Sequence, residues 1–285
     1  MTNTKHSAKV SEVWKHLALV EAVTRLQPRR YAETNAGSPS YPIVDDGERA
    51  FGVRSFMRRA VNDPELCSTR YFARLHQQPN PVSYRGSPAW VVEELGLRCR
   101  YLLCDIDPES LDELRRYVDV EGWGSVVEIV DSDGMATVAE AVQQSPGDWF
   151  VFIDPFDHFA SIDEGPNALD VVVQLLEGAV SFACWYGYNE PAQRFWLPKL
   201  LAERTDRALW AGDILTVDAN GQVDTGGHLG DATTPGTGSG MAFGNIPVEL
   251  TATLQALGEH LEVVYTPTQL PSGRPGGLKF GVLTN

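Results

Sequence analysis

Trp149-Phe150-Val151-Phe152-Ile153-Asp154-Pro155-Phe156-Asp157 is the stretch on which the fold turns. Trp149 to Ile153 is a continuous apolar run, aromatic and β-branched, with no polar residue alternating in it. It is too short for a buried helix, so it reads as a strand covered on both faces. Such strands belong to parallel sheets flanked by helices, and their carboxyl ends open on the crevice that receives ligands. The chemistry of the chain is therefore expected at the turn from Asp154 to Asp157.

Working outward, strands and helices alternate. Downstream, residues 168–178 read as a helix and Val180 to Trp185 as a strand. Upstream, Ser125 to Val130 is a strand and Asp133 opens a helix. Tyr101 to Asp105 is a buried strand, and Asp107-Pro108 caps a helix running to Val118. Ser87 as N-cap and Pro88 as first helical residue start a helix that ends near Leu95. Tyr31 to Thr34 is a strand that runs into the turn residues Asn35-Ala36-Gly37-Ser38-Pro39. Val10, Val13, Trp14, Leu17, Val20 and Val23 recur at helical spacing, which predicts an amphipathic helix over 11–26.

Residues 45–80 read as an insertion with two short helices, and 218–240 as a flexible loop rich in Gly and Thr. A helix over 247–259 and strands near 261–266 and 278–283 follow. The alternation predicts one α/β domain over 1–285, with a doubly wound, mostly parallel sheet and a small helical insertion.

Composition narrows the function classes. The chain has 285 residues, 43% hydrophobic and 21% charged, as expected of a globular domain with a sizeable core. No apolar run is long enough to cross a membrane, and the first residues lack a signal-peptide core, so a cytoplasmic protein is expected. The formal net charge of −15 argues against a partner rich in phosphates. Six histidines and four cysteines show no metal-ligand spacing, so no metal is expected and the cysteines read as reduced.

Three acids, Glu33, Asp105 and Asp154, end successive core strands, and Asp133-Gly134 follows the strand between the last two. In an open parallel sheet these ends line one crevice, and an acid after the second strand suits ribose hydroxyls.

In this order the residues resemble the 23S rRNA adenine-N6 methyltransferases, class I enzymes with a Rossmann-like fold that use S-adenosylmethionine. The family's D-V-L-K-H is similar to Glu12-Val13-Trp14-Lys15-His16, and its D-T-H-A-G-A-G to Glu33-Thr34-Asn35-Ala36-Gly37-Ser38-Pro39. Its Y-P-G-S-P resembles Tyr84-Arg85-Gly86-Ser87-Pro88, its E-L-H-P resembles Asp105-Ile106-Asp107-Pro108, and its D-G matches Asp133-Gly134. Its catalytic I-D-P-P-Y-E looks like Ile153-Asp154-Pro155-Phe156-Asp157. Its W-Y-P is similar to Trp185-Tyr186-Gly187, and its G-S-G-M to Gly238-Ser239-Gly240-Met241. The resemblance implies a cofactor pocket using His16, Asn35, Ser87, Asp105, Asp133 and Gly134, with Asp154 orienting the target amine.

The departures bear on the substrate. The second proline of D-P-P-Y is missing or replaced. Read without a gap, Asp157 stands where the base should stack; read with a one-residue deletion, Phe156 is the aromatic. Arg85 replaces a proline beside the helix start and could add a donor for an anion. Three functions are therefore weighed. The first is S-adenosylmethionine-dependent N-methylation of adenine or another amine. The second, favoured at this point, is a repurposed methyltransferase fold of natural-product biosynthesis. There Asp154 or Asp157 would orient an amine that displaces sulfate from an adjacent carbon, forming an aziridine without cofactor, with Arg85 at the departing anion. That resemblance implies a small partner subunit and a carrier-bound or small-molecule amine. The third is a non-catalytic binding partner, which the surviving acids weaken.

Overall fold

The computed structural model of the chain describes residues 7–44, 46–77, 82–144, 147–162, 164–224 and 238–284. Its strands are β1 (Arg30–Glu33), β2 (Ser40–Pro42), β3 (Ser83–Arg85), β4 (Arg100–Asp105), β5 (Val127–Asp131), β6 (Trp149–Ile153), β7 (Ser181–Tyr188), β8 (Leu209–Asp218), β9 (Gly238–Gly244), β10 (Thr268–Gln269) and β11 (Pro275–Thr284). β2 and β3 form an antiparallel ribbon of their own, while the other strands share one sheet in the order β10-β11-β8-β9-β7-β6-β1-β4-β5.

The half β5-β4-β1-β6-β7 is wholly parallel. From β7 onward the pairings with β9, β8, β11 and β10 are antiparallel. β1 lies between β4 and β6, so the chain winds outward from β1 in one direction and then crosses to the other side of it. This is the doubly wound, Rossmann-like arrangement, and its ligand crevice lies where the winding reverses.

Helices cover both faces. They are α1 (Val10–Leu26), α2 (Gly47–Phe51), α3 (Val53–Arg59), α4 (Pro64–Cys67), α5 (Arg70–Leu75), α6 (Ser87–Leu95), α7 (Pro108–Glu121), α8 (Gly134–Gln144), α9 (Ala168–Glu177), α10 (Trp196–Ala202) and α11 (Val248–Val264). One core gathers Trp14, Leu17 and Val20 of α1, Trp90 of α6, and Leu254 and Leu261 of α11. The other gathers Val138 of α8, Val172 and Leu175 of α9, and Leu197 of α10 beneath Val151 and Ile153 of β6.

α1 is a core helix. Of its 17 residues, 13 are buried, so its polar residues Lys15 and His16 must find partners inside the protein. Trp14 Nε1 donates to the Gly212 carbonyl of β8 at 3.1 Å and fixes the helix against the sheet.

Several boundaries differ from expectation. The run near 261–266 is not a strand: α11 continues to Val264, because Leu254, Leu257, Leu261 and Val264 are all buried at helical spacing. Ser87 is not the N-cap of α6. Gly86 holds that position, since a Cβ there would meet the Ser38 carbonyl at 2.1 Å. Among its described residues, the insertion over 45–80 contains four short helices, α2 to α5, rather than two. Of the loop expected over 218–240, residues 225–237 lie outside the described residues, and Gly238 to Gly240 belong to β9. β8 and α10 were not anticipated at all. Among the described residues no helix is long and apolar enough to cross a membrane.

Candidate active site

The loops after β1, β4 and β6 surround a cavity of about 520 Å³, closed by α1, the start of α6 and Trp185 of β7. Its volume falls in the range typical of small-molecule sites. Asn35, Ala36 and Gly37 come from the first loop, Asp105, Ile106 and Asp107 from the second, and Asp154, Pro155 and Phe156 from the third. α1 contributes Ser11, Glu12, Lys15 and His16.

Lys15 is the centre of the charge arrangement. Its Nζ lies 2.8 Å from Asp154 Oδ2 and 2.7 Å from Glu12 Oε1, and stands 5.7 Å from the centre of the Trp185 ring. Burial alone would lower the Lys15 pKa, but Asp154 and Glu12 outweigh it and raise the value, so the ammonium stays charged. Burial raises the Glu12 carboxyl pKa, with Lys15 pulling the other way. His16 is pushed well below the usual imidazole range by burial and by Lys15, and is neutral at pH 7.

Among the described residues, four lining carboxylates, Glu12, Asp105, Asp107 and Asp154, face a single lining ammonium, Lys15. The cavity therefore favours cationic and amine-bearing ligands and disfavours polyanions.

Asp105 is tied into the loops that surround it. Its Oδ2 accepts from Gly37 N at 2.6 Å, and its Oδ1 accepts from Ile106 N and Asp107 N at 2.8 Å each. A carboxylate has about four acceptor positions, so about one, on Oδ2, is left for a ligand. Gly37 has φ +64°, and a Cβ there would meet the Tyr41 hydroxyl at 2.5 Å; glycine is required for both reasons. Asp107 caps α7, accepting from Ser110 N at 2.9 Å, and the bonds from Ser110 lower its pKa.

Glu33 at the end of β1 does not line the cavity. It is fully buried, accepts from the Tyr31 hydroxyl at 2.5 Å, and is pushed up to about 8 by desolvation.

Of the residues singled out from the sequence, His16, Asn35, Ser87, Asp105, Asp154 and Phe156 line the cavity together. Phe156 lines the cavity while remaining 71% exposed. Asp157 does not line the cavity; its Oδ1 accepts from Phe159 N at 2.9 Å and shapes the turn. Asp133 is also outside the lining and accepts from Met135 N at 3.0 Å at the start of α8.

Gly134 works by close approach: a Cβ there would lie 2.0 Å from the Thr34 carbonyl. Arg85 is drawn away from the cavity by Glu93, whose Oε1 it meets at 2.9 Å, and lies over the Trp90 ring. Glu12, Lys15, Tyr41 and Trp185 line the cavity but were not among the expected site residues. The sequence signal for Glu12 and Lys15 was their place in the motif that contains His16.

No protein-family model matches the chain, and no curated protein matches it significantly. Among solved structures, protein LPL1258 from Legionella pneumophila str. Philadelphia 1, described under the family model DUF519, superposes with a TM-score of 0.74. The two chains are 18% identical over 98% of each. The O-methyltransferase from Bacillus cereus in complex with SAH matches with a TM-score of 0.42 and 11% identity, over 83% of each chain. The METTL16 methyltransferase domain matches with a TM-score of 0.40 and 10% identity, over 81% of this chain and 67% of that one. The likeness to LPL1258 is one of fold, and it extends over essentially the whole chain.

Proposed function

We propose that the chain is an enzyme that transfers a methyl group from S-adenosylmethionine to the nitrogen of a small amine. The observation that carries this reading is the place of Asp154: at the carboxyl end of β6, in the cavity wall, with Oδ2 held by Lys15 at 2.8 Å. That contact fixes the carboxylate and leaves Oδ1 to accept a hydrogen bond from an amine, so that the nitrogen lone pair is aimed rather than free to rotate.

The residues around the cavity fit the cofactor in charge and in most of their chemistry. Asp105 would take a ribose hydroxyl through its remaining acceptor position, and Asn35, Ser87 and His16 are polar groups on the same wall. When bound, S-adenosylmethionine supplies a methyl carbon on a sulfonium, and the lining acids favour that positive charge. Phe156 at the mouth offers a flat apolar surface to the acceptor. The acidity of the lining supports a small amine rather than a nucleic acid as acceptor.

A second reading has one observation in its favour. With about three of its four acceptor positions already used by backbone N–H groups, Asp105 holds a ribose less well than a free carboxylate would. In that reading no cofactor binds. The amine nitrogen attacks the adjacent carbon of its own molecule, the C–O bond to sulfate breaks, and the electron pair leaves with sulfate. The nitrogen proton passes to Asp154 or to solvent, and an aziridine results. Among the described residues, Lys15 and not Arg85 is then the cation lining the cavity, and a carrier-bound amine and a small partner subunit are the expected companions.

The distinguishing experiment incubates the full chain with methyl-labelled S-adenosylmethionine and a panel of small primary amines. Label transfer that Asp154→Asn abolishes supports the first reading. Sulfate release from a vicinal amino sulfate, with no label transfer to any amine, supports the second.

A further inference from the structure

Behind the cavity wall lies a chain of hydrogen bonds that the amine-orienting chemistry does not use. His16 Nδ1 is 2.9 Å from the Tyr84 hydroxyl, and that hydroxyl is 2.7 Å from the Tyr71 hydroxyl. All three side chains are almost fully buried: His16 is 1% exposed, Tyr84 1% and Tyr71 0%. Among the described residues, the charged group facing the Nε2 edge of the imidazole is the Glu12 carboxylate, with Oε2 at 4.0 Å. His16 and Glu12 both line the cavity, whereas Tyr84 and Tyr71 do not.

Two independent features choose the tautomer. Tyr71 can donate to the Tyr84 oxygen, which leaves the single Tyr84 proton to go either to His16 Nδ1 at 2.9 Å or to the Glu12 carbonyl at 3.2 Å. The shorter contact is the one to Nδ1, and a proton given there makes Nδ1 the acceptor and places the ring's own proton on Nε2. The second feature is electrostatic. An Nε2–H points its positive end at the Glu12 carboxylate, whereas an Nε2 lone pair would face it with like polarity.

We infer that Tyr84, backed by Tyr71, is a positioning residue that fixes His16 as the Nε2–H tautomer, so that His16 offers a hydrogen-bond donor to a carboxylate or carbonyl oxygen of the bound ligand. The use of that donor rests on the cavity being the ligand site of the methyl-transfer reading; the tautomer does not. Among the described residues, Glu12 and Lys15 on its own helix, Tyr84 from β3 and the Trp90 ring from α6 surround the ring. His16 is neutral in this setting, so the tautomer, rather than a charge, decides what it offers.

The test is long-range proton–nitrogen correlation spectroscopy of the histidine side chains in the full, nitrogen-15-labelled chain. The His16 signals are those that vanish in His16→Asn. The inference expects the Nε2–H pattern in the wild type and in Tyr71→Phe, which keeps the Tyr84 hydroxyl. It expects the Nδ1–H pattern, or an average of the two, in Tyr84→Phe. An Nδ1–H pattern in the wild type overturns it, as does an unchanged pattern in a folded Tyr84→Phe. If Tyr84→Phe does not fold, the wild-type spectrum alone decides.

Titration with S-adenosylhomocysteine separates this inference from the reading on which it leans. If the wild type does not bind, the methyl-transfer reading fails while the tautomer result stands. If it binds, Tyr84→Phe should raise Kd about tenfold, as the loss of one oriented hydrogen bond implies, and an unchanged Kd counts against the donor role.

Discussion

Lys15 Nζ lies 2.8 Å from Asp154 Oδ2, joining the first helix to the turn after β6 across 139 residues of sequence. Both side chains are largely buried, at 9% and 18% exposure, and Glu12 completes the group at 2.7 Å from the same ammonium. The contact does two things at once. It neutralises charge inside the protein, and it sets the orientation of the carboxylate that faces the ligand.

Removing Lys15 should therefore damage stability as well as chemistry. Lys15→Met leaves Glu12 and Asp154 without their shared cation, and loss of one partner of a buried pair costs about 3–5 kcal/mol. Chemical denaturation should show a loss of that order. Asp154→Asn keeps the shape, and should lower turnover at least about a hundredfold while changing cofactor affinity little. Equal loss of affinity and turnover in Asp154→Asn would mean that the residue binds rather than orients.

Glu33 predicts a pH dependence whose sign follows from burial. Burial pushes its pKa up to about 8 in the folded protein from the ordinary 4.5 of a free glutamate, so the folded state holds the proton more tightly. Below pH 4.5 both states are protonated and nothing is lost. Between pH 4.5 and 8 the unfolded state gives up its proton first, so stability falls as pH rises, by up to roughly 5 kcal/mol. Glu33→Gln should flatten this fall in thermal melts taken from pH 5 to 8. A wild-type slope that survives unchanged in Glu33→Gln would assign the effect to other groups.

Gly134 marks a close backbone approach rather than a ligand contact. Gly134→Ala places a methyl group 2.0 Å from the Thr34 carbonyl, an atom that cannot move aside without shifting the β1 loop. A destabilisation of about 1–3 kcal/mol is expected, read as a lower denaturant midpoint. A neutral result would show that α8 and the loop are less tightly packed than this contact implies.

The opposite pattern is expected at Phe156. With 71% of it exposed, Phe156→Ala should leave stability within about 0.5 kcal/mol of the wild type. Binding of an aromatic amine should weaken by about tenfold, the size of a single stacking contact. Calorimetric titration of the amine into both proteins checks this.

Much of the sheet was legible because its buried strands carry unbroken apolar runs, as β6 does from Trp149 to Ile153. The turn at Asp154 and the acid Asp105 were legible for the same reason: each ends such a run. β8 was not, because Gly212 and Asp213 interrupt it. The buried Asp213 meets Arg194, nineteen residues earlier, at 2.6 Å, a pairing no local pattern announces. β-branched residues at the end of α11 imitated a strand, although their spacing also continued the helix. Arg85 looked available for an anion, but Glu93, eight residues on, captures it once α6 has formed. The Lys15–Asp154 contact was invisible for the plainest reason, since only the folded sheet brings α1 to the end of β6.

The central claim is that the cavity beside Lys15 and Asp154 is the site of an S-adenosylmethionine-dependent reaction. Calorimetric titration of the full chain with S-adenosylmethionine and S-adenosylhomocysteine tests it most directly. The account predicts one site per chain with micromolar Kd for both, weakened in Asp105→Ala. Absence of binding of either compound at millimolar concentration would contradict it.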